Sequence, residues 1–228
     1  MAANPNNARE FSTITSSGNE LFLTGRTAQP YQVSTSGAAT VDVLDWLQNF
    51  EDSTQGQALL QHLTAHFGAT GFTSESILQQ DVANILSDAY AANEKFNQTQ
   101  QNAPALVTSF PQSPLGGQLR AVANAIAVRD QLQVNRQVFL VGIGGFDTHS
   151  AQAQDLPQLL SQLDGGLSAF YQALQELNLE NQVTTFTASD FGRTLAVNGD
   201  GTDHGWGGHH FVMGGAVKGN HIYGTIPP

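Results

Sequence analysis

A predicted strand, helix and strand in succession constrain the fold more than any other feature of this sequence. Gln137 to Ile143 is a nearly continuous apolar run, which is typical of a strand buried on both faces. Apolar residues then recur at helical spacing from Leu156 to Leu177, and Val183 to Thr187 has the composition of a second strand. Such units connect parallel strands by a right-handed crossover, so both strands should end at the same edge of one sheet. The sequence therefore predicts an α/β fold.

The rest of the chain is consistent with a single α/β domain over residues 1–228, whose core at residues 115–228 carries the functional motifs. Residues 1–40 are rich in Asn, Ser, Thr and Gly, and we expect them to be irregular apart from a short strand at Glu20–Thr24. The apolar side of a helix that begins near Ser74 should face the core. Further helices are predicted at Val41–Phe50, Gln57–Phe67 and Leu115–Leu132.

Composition limits the partners and the chemistry of the chain. Eight Lys and Arg residues oppose 19 Asp and Glu residues, a formal net charge of -11, so the surface should repel nucleic acid and anionic lipid. No run approaches the ~18 apolar residues of a membrane span, so we expect no membrane insertion. Residues 1–20 lack the features of a signal peptide, although a composition poor in Lys would suit an exported protein. With no cysteine, any metal must be bound by oxygen and imidazole.

Three polar clusters lie beyond the predicted strands. Phe-Asp-Thr-His follows the first strand at residues 146–149, and Ser-Asp-Phe-Gly-Arg-Thr follows the second at residues 189–194. The third cluster, at residues 201–210, reads Gly-Thr-Asp-His-Gly-Trp-Gly-Gly-His-His. Ligands of open α/β sheets bind beyond the carboxyl ends of the strands, where neighbouring strands are ~5 Å apart. We therefore expect the first two clusters to meet there.

These clusters contain the ligand types of a metal site. Carboxylate oxygen and neutral imidazole nitrogen suit zinc, manganese and iron, and a catalytic site leaves one coordination position open. Asp147, His149 and His204 would complete such a set, with Asp190 close by. For His204 to reach this edge of the sheet, the segment Phe211–Val217 should run back as an antiparallel strand.

Two of the candidate residues have alternative interpretations. Asp190 could bind a metal or simply cap a helix that begins at Phe191. Arg193 could form a bidentate pair with a tetrahedral oxyanion or a salt bridge with Asp190. A third hypothesis makes Asp190 and Asp203 the paired carboxylates of a glycosidase, which would require ~5 to 9.5 Å between them.

The three clusters resemble motifs of the bacterial sulfatase-like family of unknown function, which is placed in the alkaline phosphatase superfamily. The resemblance covers about residues 115–228. It implies a three-layer fold with a mainly parallel sheet between helices, and a one- or two-metal hydrolase site for phosphate or sulfate esters. That family begins with an apolar strand and a Gly-Gly-Asn-Asp type motif, which residues 1–40 lack. The chain is therefore expected to be an incomplete, internal piece of a longer protein, without the usual nucleophile.

The resemblance also assigns roles to individual residues. It implies that Asp147, His149 and His204 bind one metal and that Asp190 binds a second. Phe191 stands where the superfamily has a histidine. The divalent metal is expected to be zinc, with manganese or calcium as alternatives. Members of the family are expected to be exported or periplasmic.

The leading functional hypothesis is a metal-dependent hydrolase of phosphate or sulfate esters. In this hypothesis Arg193 and Asp190 are catalytic, and Arg193 stabilises the charge that develops in the reaction. Without an identified Ser or Thr nucleophile, direct attack by water is the simpler mechanism. The substrate would be a small anionic ester or a sugar ester. The alternatives are a non-catalytic metal-binding protein of the envelope and a carbohydrate-active hydrolase. A homo-oligomer, in which a second copy covers a sheet edge, is a further expectation.

Overall fold

The computed structural model has the mixed α/β composition that the sequence predicts. It describes residues 9–18, 21–26, 29–38, 54–67 and 76–225. The chain divides into two compact units, of which the first comprises Met1–Ala103 and Val128–Leu140 and the second comprises Pro104–Ala127 and Val141–Pro228. The prediction of a single domain and the prediction of a three-layer arrangement stay predictions.

A four-stranded mixed sheet forms the centre of the first unit. Its strands are β1 (Thr13–Thr15), β2 (Tyr31–Ser34), β3 (Gly37–Ala38) and β4 (Val138–Leu140). The order is β3-β2-β1-β4, and β1 is parallel to both of its neighbours whereas β2 and β3 are antiparallel. Ile14 and Thr15 of β1 point to opposite faces of the sheet and are both fully buried, so both faces are covered at β1.

Three of these four strands lie in the region that the sequence predicts to be irregular. The strand predicted at Glu20–Thr24 is wrong, since Leu21–Leu23 forms a 3-10 helix in which Leu21 and Phe22 are exposed. The strand β1 has only three residues, two of them threonine. A segment this short shows no apolar periodicity, so its burial follows from pairing with distant strands rather than from its own pattern.

Two helices complete the described part of the first unit, α1 (Thr54–Phe67) and α2 (Ile77–Gln101). Ser76 caps α2 by accepting a hydrogen bond from the backbone N–H of Gln79. Near the other end of α2, Phe96 packs with Phe11 and Tyr31, with ring centroids 5.0 to 6.0 Å apart. Burial raises the pKa of Tyr31, whose hydroxyl donates a hydrogen bond to Asn93. The helix predicted at Val41–Phe50 lies outside the described residues.

The apolar side of α2 does not face a core where the sequence predicts that it should. Five apolar side chains of its first ten residues are more than half exposed, namely Ile77, Leu78, Val82, Ile85 and Leu86. The buried residues of α2 are Ser87 and Phe96 instead. The prediction is wrong because helical periodicity identifies an apolar side but not the part of the helix that packs.

The second unit is built on two long helices, α3 (Pro114–Ala127) and α4 (Gln152–Glu176). They pack closely at Gly166, where an added Cβ would lie 3.1 Å from Leu119 and 3.2 Å from Leu115. Two antiparallel pairs accompany them, β5 (Thr185–Phe186) with β8 (Val212–Met213) and β6 (Gly192–Val197) with β7 (Thr202–Gly205). None of the helices in the described part of the chain is both long enough and apolar enough to cross a bilayer.

The structure differs from the predicted topology in the pairing of the two strands on which the prediction is based. The two strands predicted to be parallel neighbours, β4 and β5, belong to different sheets, because β4 pairs with β1 and β5 pairs with β8. The prediction that both end at one edge of one sheet is therefore wrong. The pairing of β4 with β1 is not revealed by the sequence, and β5, which has only two residues, pairs with β8 instead of with the other side of β4. The predicted antiparallel return after His210 is confirmed by β8, although this strand is shorter than Phe211–Val217.

The hydrogen bonds of Glu176 make the stability of the second unit depend on pH. Its carboxylate accepts hydrogen bonds from the backbone N–H groups of Val107 and Thr108, at 2.7 and 2.9 Å, and from the Thr108 hydroxyl at 2.7 Å. These bonds favour the ionised form and hold the pKa of Glu176 below its ordinary value. The stabilisation is therefore complete above the ordinary pKa and is lost as the pH falls through the lowered pKa.

We expect Glu176→Gln to lower the melting temperature at pH 7, with a difference from wild type that shrinks as the pH falls through the lowered pKa. Thermal unfolding measured from pH 7 to pH 3 checks this. The control is Asp164→Asn, which removes the charge of an exposed carboxylate on α4. A difference that stays constant over this range would contradict the assigned hydrogen bonds.

Candidate metal centre

The hairpin of β6 and β7 places two of the candidate residues side by side. Arg193 lies directly opposite His204 in the register of the two strands, and Gly192 lies opposite Gly205. Directly opposed residues of an antiparallel pair present their side chains on one face. Gly205 permits the close pairing, since an added Cβ would lie 2.7 Å from the backbone nitrogen of Thr194.

The tip of this hairpin lies against the segment that carries His149. The backbone N–H of Gln152 donates a hydrogen bond to the carbonyl of Asp200 at 3.0 Å. Gly201 is buried, and a Cβ added there would lie 2.3 Å from the carbonyl carbon and oxygen of His149. The two backbones therefore touch, and this contact brings His204 to the loop that carries Asp147.

Asp147, His149 and His204 meet at a single carboxylate oxygen. Asp147 Oδ1 lies 2.7 Å from His204 Nε2 and 3.0 Å from His149 Nε2. The two imidazole rings are 5.0 Å apart, and one ligand atom from each of the three residues lies within 4.8 Å of the others. The structure thus brings together the three residues that the sequence indicates as ligands of one metal.

The geometry of this cluster fits a small divalent cation. Ligand atoms bound tetrahedrally to zinc at about 2.0 to 2.2 Å are separated from one another by about 3.4 Å. The two distances to Asp147 Oδ1 would have to lengthen by less than about 1 Å to reach this separation, and all three side chains are exposed enough to move. An Nε2–H that donates to Asp147 would be replaced by the metal, with release of a proton.

The surroundings of Asp147 keep it in the form that binds metal. The hydrogen bond from His204 is the main cause that lowers its pKa, and burial opposes this effect. Electrostatic interactions with His204, His149 and Arg193 lower the pKa of Asp147 further. Asp147 is therefore an ionised carboxylate at neutral pH.

Arg193 connects the loop that carries Asp147 to the hairpin. Its Nη2 donates to the carbonyl of Phe146 at 2.7 Å and lies 3.3 Å from Asp147 Oδ1, while Nη1 donates to the carbonyl of Thr202. In the described part of the chain its ion pair is with Asp147, so the alternative of a salt bridge with Asp190 is wrong. The guanidinium thus fixes the position of Asp147 relative to β7.

Phe191 stands where the superfamily that the motifs resemble has a histidine. Its ring stacks on the ring of His204 at a centroid distance of 4.3 Å and an interplanar angle of 14°. The Arg193 guanidinium carbon lies 5.1 Å from the centroid of the same ring. Phe191 therefore supports the orientation of His204 instead of supplying a ligand.

Asp190 lies outside the three-residue cluster, on an exposed bend. The alternative that it caps a helix beginning at Phe191 is wrong, because β6 begins at Gly192. Its roles as a second metal ligand and as a catalytic group stay predictions. His210 is also elsewhere, with Nδ1 3.3 Å from the Thr187 hydroxyl beside the β5–β8 pair.

A comparison with known families decides the classification. Residues 7–228 match the family described as Protein of unknown function (DUF1501). The chain belongs to this family. The placement in a sulfatase-like family of the alkaline phosphatase superfamily is wrong, because no sulfatase or alkaline phosphatase family matches. The motifs that suggested it combine Asp, His and Gly, which metal sites of unrelated folds also use. No curated protein and no solved structure matches the chain.

Two residues of the site in this DUF1501 chain make contacts that the sequence does not predict. Asp203 Oδ1 lies 3.4 Å from His149 Nδ1, and Asn198 Nδ2 donates to the same oxygen at 2.5 Å. The sequence suggests Asp203 only as a carboxylate of a glycosidase. The sequence feature that could have indicated this role is the position of Asp203 directly before His204, on the strand that carries a candidate ligand.

Proposed function

We propose that this protein is a metal-dependent hydrolase of phosphate or sulfate esters. The observation that supports the proposal is the cluster of three candidate ligands, Asp147, His149 and His204, which leaves one coordination position open. Structural zinc sites usually have four protein ligands, whereas catalytic sites have three and keep one position for water or substrate. The three side chains are 58%, 48% and 49% exposed, so a fourth coordination position would face solvent. This favours a catalytic site over a structural clamp.

The ligand types favour zinc among the candidate metals. Two imidazoles and one carboxylate are a ligand set common to catalytic zinc sites, and manganese is the next candidate. Calcium prefers six to eight oxygen ligands, so a site in which two of three ligands are nitrogen suits it poorly. We therefore propose zinc as the resident metal.

The local charge supports an anionic substrate. The whole chain has a formal charge of -11, which repels polyanions. At the site itself, a divalent cation and Arg193 would outweigh the charges of Asp147 and Asp203. A small phosphate or sulfate ester is therefore attracted to this point on an otherwise acidic protein.

The residues around the cluster suggest how such an ester would react. A bound divalent ion lowers the pKa of water or polarises a phosphoryl or sulfuryl oxygen. Arg193 has five N–H donors, and its three hydrogen bonds in the structure use only some of them. It can therefore also stabilise the negative charge that develops on the ester during the reaction. The hydroxyl oxygens of Thr148 and Thr202, next to the candidate ligands, are buried and so are not placed to attack an ester. Since the three candidate ligands face solvent, we propose water as the nucleophile.

Hydrolysis of nitrophenyl phosphate and nitrophenyl sulfate by purified, zinc-loaded protein tests this proposal. We expect turnover of at least one of them, a loss of at least about tenfold after treatment with a chelator, and recovery when zinc is added back. Metal bound in a 1:1 ratio without turnover would support the alternative of a non-catalytic metal-binding protein. Cleavage of nitrophenyl glycosides that resists the chelator would support the carbohydrate-active alternative.

A further inference from the structure

We propose that Asp203 is a positioning residue that holds the His149 ring in the orientation that binds metal, an inference that rests on the proposed metal binding by His149. The His149 ring lies between two carboxylates. Its Nε2 is 3.0 Å from Asp147 Oδ1, and its Nδ1 is 3.4 Å from Asp203 Oδ1. Each ring nitrogen therefore faces a different acid.

This arrangement gives His149 an acceptor for the one N–H that it keeps when a metal is bound. A neutral imidazole has one N–H and one free lone pair, and only the nitrogen with the lone pair can bind a metal. A metal that takes the place of the proton on Nε2, the nitrogen 3.0 Å from Asp147 Oδ1, leaves the N–H at Nδ1, which is 3.4 Å from Asp203 Oδ1. Histidine ligands of metals commonly donate their second N–H to a carboxylate in this way.

The hairpin turn holds the Asp203 carboxylate in place. Asn198 Nδ2 donates to Asp203 Oδ1 at 2.5 Å, and the backbone N–H of Asn198 donates to the carbonyl of Gly201 at 3.1 Å. Asp203 also lies on β7, directly before His204. One strand therefore supplies a candidate ligand and the group that orients another.

The geometry argues against Asp203 as a direct ligand of the same metal. The mutually close ligand atoms belong to Asp147, His149 and His204. Asp203 faces Nδ1, whereas the metal position lies on the Nε2 side of the same ring. A single ion cannot contact both sides of one imidazole, so the role left to Asp203 is to orient His149.

Long-range proton–nitrogen NMR of the zinc-loaded protein tests this contact directly. We expect Nδ1 of His149 to be protonated in the wild type, with the nitrogen chemical shift of an N–H that donates to a carboxylate. In Asp203→Ala this chemical shift should change to that of an N–H exposed to water, and Asp203→Asn, which retains an acceptor oxygen, should be intermediate. Asp203 is 62% exposed, so both variants should fold, and circular dichroism checks that they do. An unchanged chemical shift of His149 Nδ1 in Asp203→Ala would overturn the proposal.

Zinc affinity provides the second measurement, by competition with a chromophoric chelator. We expect Asp203→Ala to weaken binding about 10- to 100-fold, as is typical for such partners of metal ligands, and Asp203→Asn to recover part of the loss. Asp164→Ala, which removes an exposed carboxylate from α4, should leave the affinity within about twofold.

Zinc binding by the unaltered chain and by His149→Ala shows whether the positioning role alone fails or the metal centre fails with it. If His149→Ala weakens zinc binding but Asp203→Ala does not, the positioning role is refuted and the metal centre stands. If the unaltered chain binds no zinc, or if His149→Ala binds it unchanged, His149 is not a ligand and both proposals fail.

Discussion

Asp147→Ala should weaken zinc binding by more than about 100-fold and abolish the chelator-sensitive hydrolysis. Removing a residue that only orients a metal ligand costs about 10- to 100-fold in affinity, so removing a ligand should cost more. Asp147 is also the carboxylate that both imidazoles contact, at 2.7 and 3.0 Å. Without it, the positive charge of Arg193, now 3.3 Å from Asp147 Oδ1, would remain beside the site and repel a cation.

Zinc titration against a competing chelator and initial rates on nitrophenyl phosphate or sulfate measure this effect. Asp164→Ala is the matched control, since it removes the same charge from an exposed position on α4. His204→Ala should behave like Asp147→Ala. Affinity within about threefold of wild type in Asp147→Ala would show that the metal binds elsewhere.

Asp190→Ala distinguishes a one-metal site from a two-metal site. Since Asp190 lies outside the cluster, its loss should leave the first zinc ion bound. The number of zinc ions per chain, measured by elemental analysis, would fall from two to one only if Asp190 holds a second ion.

The ligands of the candidate site could be predicted from the sequence, but the way in which they come together could not. Asp147, His149 and His204 stand out because carboxylate and imidazole side chains are concentrated in a chain that is only 12% charged. Ligand chemistry depends on residue type, which a sequence displays directly. The assembly depends instead on the contact between Gly201 and the His149 backbone, and such long-range contacts leave no periodic signal.

The fold shows the same division between local and long-range information. The long helices α3 and α4 are found within a few residues of their predicted ends, because helical periodicity repeats over many turns. The strand β1 is missed because three residues carry no period. The error in sheet topology has two parts, since the sequence reveals neither the pairing of β4 with β1 nor the pairing of the two-residue strand β5 with β8.

The roles of Arg193 and Asp203 also depend on distances that the sequence does not contain. Arg193 follows Asp190 by three residues, so the sequence suggests a salt bridge between them. In the structure Arg193 instead contacts Asp147 and the carbonyls of Phe146 and Thr202, since the register of the hairpin sets its direction.

Gly201→Ala should disrupt the metal centre without altering any proposed ligand. The new Cβ would lie 2.3 Å from the carbonyl group of His149, and real Cβ atoms are essentially never found closer than 3.0 Å to such atoms. Gly201 does not have a positive φ, so the expected effect comes from this clash and not from backbone strain. Overpacking of this kind costs about 1 to 3 kcal/mol of folding free energy. The direct way to relieve the clash is to separate the hairpin tip from residue 149, which also separates His204 from Asp147.

We therefore expect the zinc affinity of Gly201→Ala to fall about as far as that of a ligand variant, together with a lower melting temperature. Gly144→Ala is the matched control, because Gly144 has no positive φ and an added Cβ there would meet nothing within 4 Å. Zinc titration and thermal unfolding of both variants measure the two effects. A Gly201→Ala protein that binds zinc like the wild type would mean that His204 does not depend on the hairpin contact, because the clash would then have been relieved without moving a ligand.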